Sequence, residues 1–178
     1  METSFAITGK GYVIVASDTT AARSIVKMKT DDDKIKVVSP HLLMSYSGEP
    51  GDTIQFAEYV ERNLPLLHYL GTMTEVPFGA HGYGSYFALS LLDRYHDPEA
   101  TLEEGLATLK RCIDEVAKRL VVSPGKYKIK VVDKDVSIAS LLQRSTILNF
   151  LVLITFEDHR IIGLLHTRLS HILPFMEQ

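Results

Sequence analysis

The sequence predicts an α+β domain, and three observations carry that prediction. Tyr12–Ala16 (YVIVA) is a near-continuous apolar, β-branched run, the pattern of a strand buried on both faces rather than wet on one. Two segments, Asp52–Asn63 and Thr101–Leu120, place apolar residues at helical spacing with charged residues opposite. Around them the elements fall in the order of four strands, a helix, a glycine-rich loop, two helices and a strand.

The first strand is Thr3–Thr8, turned back by Gly9-Lys10-Gly11 into the second, Tyr12–Ser17. Asp18 follows where the buried strand stops. A charge at that place must be paired or hydrogen-bonded, because isolated burial costs too much. Lys34 is the expected partner, since it opens the third strand (KIKVVS) after the polar link Thr30–Asp33. Pro40-His41 breaks that strand and Leu42–Ser47 forms the fourth.

Asp52 reads as the N-cap of the first helix, because a carboxylate accepts from the free amides of a first turn. Asn63-Leu64-Pro65 ends that helix. Leu66–Thr74 and Glu75–Phe78 read as strand pieces, Gly79–Gly84 (GAHGYG) as a loop, and Ser85–Tyr95 as a short apolar helix. Thr101 and Glu104 have capping-box spacing and start a long amphipathic helix with Leu106, Leu109, Ile113, Val116 and Leu120 along its stripe. Ser123-Pro124-Gly125 turns it into the strand KYKIKVVD. The apolar run Thr146–Phe156 is too short for a bilayer, which needs about 20 apolar residues, and reads as a buried strand or an aggregation-prone segment.

At 178 residues the chain fits one domain with a layered core. A net charge of -3 argues against nucleic-acid binding, because no basic excess faces the phosphates. The single cysteine, Cys112, excludes an internal disulfide, suits a reducing compartment, and reads as a small buried hydrophobe on a helix. No charged and apolar leader precedes the first strand, so no secretory signal is expected.

Three stretches carry a family resemblance. VIVASDTTAARS resembles the second strand and turn of a proteasome beta subunit. DDDKIKVVSPHLLMSYSGEPGDTIQFAEYV resembles its third and fourth strands running into the first helix. PFGAHGYGSYFALSLLDRYHDPEATLEEGLATLKRCIDEVAKR, with KIKVVDKD after it, resembles its third and fourth helices and following strand. The element order is similar to that of proteasome-type N-terminal-nucleophile hydrolases. The AHGYG loop and GDTIQFAEY helix start look specifically like the non-catalytic beta-4 class, called beta type-2 in mammals.

The resemblance implies an abbreviated four-layer α-β-β-α sandwich over residues 1–135 and leaves 136–178 as a divergent tail. It also implies a missing segment near 63–66, where about 60 residues of the family's layered core have no counterpart. The expected role is that of a non-catalytic subunit of the 20S core particle. Its partners would be other beta subunits and alpha subunits in stacked rings, in cytoplasm and nucleus. It would use no cofactor and no metal.

Active members attack with an N-terminal threonine whose own amine takes the proton. Here the resemblance puts Glu2 at the nucleophile's place, with Thr3 beside it and no Gly-Thr cleavage junction. Asp18 and Lys34 match the family's aspartate and tuning lysine, and Gly48 the oxyanion-hole glycine. Tyr83 replaces a loop serine, with Ser85 close after it. Leu120 replaces an aspartate, while Ser123 keeps the later serine. Asp18, Lys34 and Gly48 therefore read as a vestigial scaffold, and Asp18–Lys34 as a retained ion pair. The competing readings are an active threonine hydrolase that exposes Thr3 and a defective isoform that does not assemble.

Other candidates are weaker. His81, Ser85 and Asp93 could form a triad only without a nucleophile elbow, and read better as loop and helix-start residues. Gly79–Gly84 has the wrong glycine spacing for a dinucleotide. Asp31-Asp32-Asp33 reads as a solvated turn, and His159, His166 and His171 lack zinc-site spacing.

Overall fold

The buried run becomes the middle strand of a five-stranded antiparallel sheet in a computed structural model that describes residues 2–23, 26–39, 42–48, 50–63, 73–120, 126–133, 139–143, 152–154 and 161–164. In chain order the strands are β1 (Ser4–Gly9), β2 (Tyr12–Asp18), β3 (Ala21–Arg23), β4 (Val26–Lys29), β5 (Ile35–Ser39) and β6 (Leu42–Ser45). Helix α1 (Pro50–Arg62) follows, then β7 (Met73–Val76), β8 (Phe78–His81), α2 (Ser85–Tyr95) and α3 (Leu102–Arg119). The remaining strands are β9 (Tyr127–Asp133), β10 (Ala139–Gln143), β11 (Val152–Ile154) and β12 (Ile161–Leu164).

The large sheet has the order β10-β9-β2-β1-β8, and every pairing in it is antiparallel. All of β2 is buried, as its β-branched run requires, and its two faces serve different cores. Tyr12, Ile14 and Ala16 pack with Leu92 of α2 and Leu109, Ile113 and Val116 of α3. Val13 and Val15, one residue out of phase, meet Ile35 of β5 and Leu43 of β6. That is the period of two expected of a strand. A third cluster joins Met44 of β6 to Ala57 and Val60 of α1.

Helix α3 starts as its sequence dictates. The Thr101 hydroxyl accepts from the Glu104 amide while the Glu104 carboxylate accepts from the Thr101 amide, which closes the capping box. The same turn is tied to the sheet, because the Tyr12 hydroxyl donates to Thr101 O at 2.8 Å. Gly105 lets the two approach; a Cβ there would fall on the Tyr12 hydroxyl and crowd Ile14. The β1–β2 hairpin turns through Gly11 at φ 79°, a conformation that glycine adopts without penalty.

Several expectations need correction. Helix α1 begins at Pro50, so Asp52 lies inside its first turn rather than capping it. Gly79–Gly84 is not a loop throughout: Phe78–His81 is strand β8, paired with β1 from Ile7 opposite Phe78 to Ser4 opposite His81. The segment after Asp18 forms the ribbon β3–β4, which the sequence reading did not anticipate. The fourth strand stops at Ser45. The tail contributes strands β10, β11 and β12; β11 lies within the run Thr146–Phe156, where a strand was expected. The strand expected before Met73, and the turn Ser123-Pro124-Gly125, lie outside the described residues.

Two glycine substitutions separate packing from chain entropy. Gly105→Ala should destabilise the protein by about 1–3 kcal/mol in chemical denaturation, because the Tyr12 ring and α3 must part. Gly51→Ala, at an exposed helical position with open space around it, should instead stabilise by about 0.4–1 kcal/mol.

Candidate functional site

The end of β2 carries Asp18 into a place with no solvent exposure. The Thr20 amide, two residues on, donates to Asp18 Oδ1 at 2.7 Å, a local turn typical of aspartate. Lys34, just before β5 and buried, brings its ammonium to the same oxygen at 3.0 Å. It also donates to Thr20 O at 2.9 Å and lies 2.8 Å from Glu2 Oε1. Three acceptors thus surround a group that has three N–H donors.

Two carboxylates share this one ammonium. Burial pushes the Asp18 carboxyl up from 3.8 to about 6; Lys34 and the Thr20 amide oppose the rise, and Glu2 adds to it. Among the described residues, Glu2 Oε2, Asp18 Oδ2 and Thr20 Oγ1 are buried with no hydrogen-bond partner. Beside them runs a row of hydroxyls, with Ser4 Oγ 3.0 Å from Ser17 Oγ and Ser45 Oγ donating to Ser4 Oγ at 3.3 Å.

Residues 2 to 4 alternate in direction. Glu2 points to Lys34 and Ser4 to the hydroxyl row, whereas Thr3 turns toward the helices. There the Thr3 side chain is 1% exposed, hydrogen-bonds Tyr127, and packs so closely that a Cβ on Gly84 would meet its methyl at 2.6 Å. The hydroxyl nearest the chain's start is therefore engaged on the face away from the ammonium. Gly48 takes φ 152°, two residues after Tyr46, whose amide donates to Lys34 O at 2.9 Å.

The alternative constellations do not assemble. The Ser85 hydroxyl donates to Gly82 O at 2.6 Å, inside the turn that opens α2, and Asp93 is exposed on that helix. Burial lowers His81 to about 4, so its ring is neutral at pH 7. Tyr83 is half exposed, and Leu120 forms the C-cap of α3. Cys112 has no exposure, and burial raises its thiol to about 12. Ser123, His159, His166 and His171 lie outside the described residues. Among the described residues no cluster of His, Cys, Asp and Glu could hold a metal, and no helix is long and apolar enough to cross a membrane.

The acidic run Asp31–Asp33 is solvated at Asp31, as expected, but not at Asp33. Asp33 is clamped by Lys128 at 2.7 Å and Lys130 at 3.0 Å, and accepts from the Ile35 amide at 3.0 Å. Burial, the largest single influence, would raise its carboxyl, but the hydrogen bonds from Lys128, Lys130 and the Ile35 amide, with the Lys130 charge, together hold it below the usual value. Lys130 also donates to Ile35 O. The only sequence signal was the alternation of lysines in KYKIK, which puts both on one face of β9. A groove of about 450 Å³ between β5 and α1, lined by Lys36, Val37, Tyr46 and Ile54 among others, lies beside this clamp rather than at Asp18.

A buried carboxylate–ammonium cluster at the mouth of two packed sheets, flanked by two helices on one side, defines a class of scaffold, and comparison with known proteins says which. The family described as "Proteasome subunit" matches in two pieces, residues 1–69 and 64–132. The chain belongs to the proteasome subunit family, on its beta-type branch. Proteasome subunit beta type-2-A of Arabidopsis thaliana is 35% identical over 76% of this chain and 91% of its own length. Proteasome subunit beta type-4 of Saccharomyces cerevisiae is 34% identical over 69% of this chain and 88% of its own. Proteasome subunit beta type-2 of Dictyostelium discoideum is 32% identical, over 76% and 94%. The Arabidopsis alignment runs over 185 positions yet takes up only 76% of a 178-residue chain. The relative therefore carries, inside the matched span, a stretch with no counterpart here.

The Asp18 carboxyl should titrate near pH 6 in carboxyl-carbon NMR. Because Glu2 raises it, Glu2→Gln should move that midpoint down. The folded state holds this proton more tightly than the unfolded chain, so Asp18's contribution to stability is full below pH 3.8 and is lost as pH rises through about 6. Denaturation midpoints of the native chain and Asp18→Asn, compared across that window, should converge or cross as pH increases.

Proposed function

We propose that this chain is a non-catalytic beta-type subunit of the 20S proteasome core particle. Its work is architectural: it stands in a ring of beta subunits, against alpha subunits on one side, and walls the chamber in which proteins marked by ubiquitin are degraded. The observation that carries the non-catalytic reading is Glu2. Its carboxylate occupies Lys34 at 2.8 Å, where a nucleophile's hydroxyl would have to be, and a carboxylate cannot supply that hydroxyl. Asp18, Lys34 and Gly48 then form a scaffold that braces two sheets.

The four-layer α-β-β-α sandwich is the arrangement that the three apolar clusters favour: helices against the large sheet, sheet against sheet, and α1 beneath β6. Residues 1–135 form the beta-type domain, shortened near 63–66, and 136–178 a divergent tail. The two-piece family match, with both pieces meeting at 64–69, favours that division. The lone buried cysteine suits the reducing cytoplasm and nucleus. A second reading, a form that stays outside the particle, is favoured by the stretch that the relatives carry and this chain lacks.

Two measurements decide among these. Treated with an electrophile that captures N-terminal threonine, the assembled particle should give no adduct on Thr3 of this chain; a labelled Thr3 overturns the non-catalytic role. On native gels the chain should migrate with the core particle. Finding it only as a free, rapidly degraded species would establish the second reading.

A further inference from the structure

Strand β6 is buried along its whole length, with Leu42 at 4% exposure and Leu43, Met44 and Ser45 at 0%. Leu43 belongs to the core between the sheets and Met44 to the core under α1, so neither face of the strand meets water. The backbone N–H and C=O groups along both edges of such a strand must then be bonded within the protein. Strand β5 takes one edge, from Ile35 opposite Ser45 to Ser39 opposite Leu42. Strand β11 takes the other, with Val152, Leu153 and Ile154 opposite Ser45, Met44 and Leu43. Strand β12 lies against β11 and pairs with β7, from Ile161 opposite Val76 to Leu164 opposite Met73.

Both of these strands come from beyond residue 132, where the family match ends. The relatives, in turn, carry an internal stretch that is missing here. A sheet cannot leave the inner edge of β6 bare, whichever segment covers it.

We propose that the β6 edge, Leu42–Ser45, is a strand-acceptor site whose occupant is this chain's own tail: β11 and β12 fill the place that the missing stretch would otherwise have filled. The inference rests on the shortened junction put forward above. The mode is strand addition, in which main-chain hydrogen bonds give the affinity and an apolar Val-Leu-Ile strand suits a site flanked by buried residues. Because donor and acceptor share one chain, docking is intramolecular and does not depend on protein concentration. The tail also keeps the edge from pairing with another molecule.

The register supplies the test. In the full-length protein, Leu43→Cys with Ile154→Cys puts two thiols directly opposite, within the Cα separation that a disulfide spans. Leu43→Cys with Val152→Cys puts them out of register. The opposed pair should oxidise to an intramolecular disulfide at least about tenfold faster than the offset pair. Leu153→Pro should speed amide exchange across Leu42–Ser45 by about tenfold or more while leaving Tyr12–Asp18 protected.

Equal oxidation of the two pairs, or unchanged exchange in β6 with Leu153→Pro, overturns the proposal. If Leu153→Pro unfolds the whole chain, β2 loses protection too and the oxidation rates alone decide. Peptide mapping of the native protein across Asn63 tests the junction separately: a longer chain there would end the shortened-junction reading, whatever the thiols do.

Discussion

A strand with no exposed residue ends in a charge, and the molecule is arranged to answer it. Taking the Asp18 carboxylate out of water costs several kcal/mol even after relaxation. Lys34 offsets much of that, at 3.0 Å, and its own desolvation is met by Thr20 O and Glu2. Removing one member of a buried pair typically costs about 3–5 kcal/mol, because the other charge is left stranded. Lys34 therefore cannot drift, and β5, which begins one residue later, is fixed with it. The Tyr46 amide on Lys34 O carries that constraint to the chain leaving β6. Electrostatic demand at the end of one sheet thus sets where the other sheet starts.

The same cluster explains why a threonine one residue away gives no nucleophile. Thr3 shares its face with Phe5 and Ile7, which pack against the helices, whereas Glu2 points toward the ammonium. Bringing the Thr3 hydroxyl to Lys34 would require β1 to slip by one residue against β2. A one-residue slip turns every side chain of a strand to the opposite face. Phe5 and Ile7 would leave their core, and the pairing that runs from Ser4 opposite Ser17 to Gly9 opposite Tyr12 would break. The loss of two large buried side chains, about 1.5–3 kcal/mol each, far exceeds any single hydrogen bond regained. Register keeps the Thr3 hydroxyl away, and the identity of Glu2 leaves no hydroxyl in its place.

Much of this was legible in the sequence where the signal is local. The β2 run, the capping box at Thr101 and the apolar stripe of α3 are periodic or fixed-offset patterns, and each produced the element it announces. The Asp18–Lys34 pairing could be anticipated because a charge closing a buried strand has few partners. The failures have equally physical causes. Strand β8 is broken by glycine and has no period, so only its pairing with β1 makes it a strand. The ribbon β3–β4 buries almost nothing, with all of β4 exposed, and leaves no hydrophobic alternation to detect. Asp33 looked solvated because its lysines lie on β9, about 95 positions away in sequence and adjacent only in the fold.

Those lysines also govern the outer edge of the second sheet. Ile35 offers its amide to Asp33 and its carbonyl to Lys130, so neither backbone group is spent on β6. Both face outward, and side chains have already claimed them. A buried lysine along a sheet edge opposes strand addition, since an incoming strand would have to displace its hydrogen bond and strand its charge. The β5 edge is thereby occupied by side chains at Ile35, while the β6 edge is met by strand β11, Val152–Ile154. Lys128, Lys130 and Asp33 therefore hold the start of β5, on the side of the sheet opposite β11.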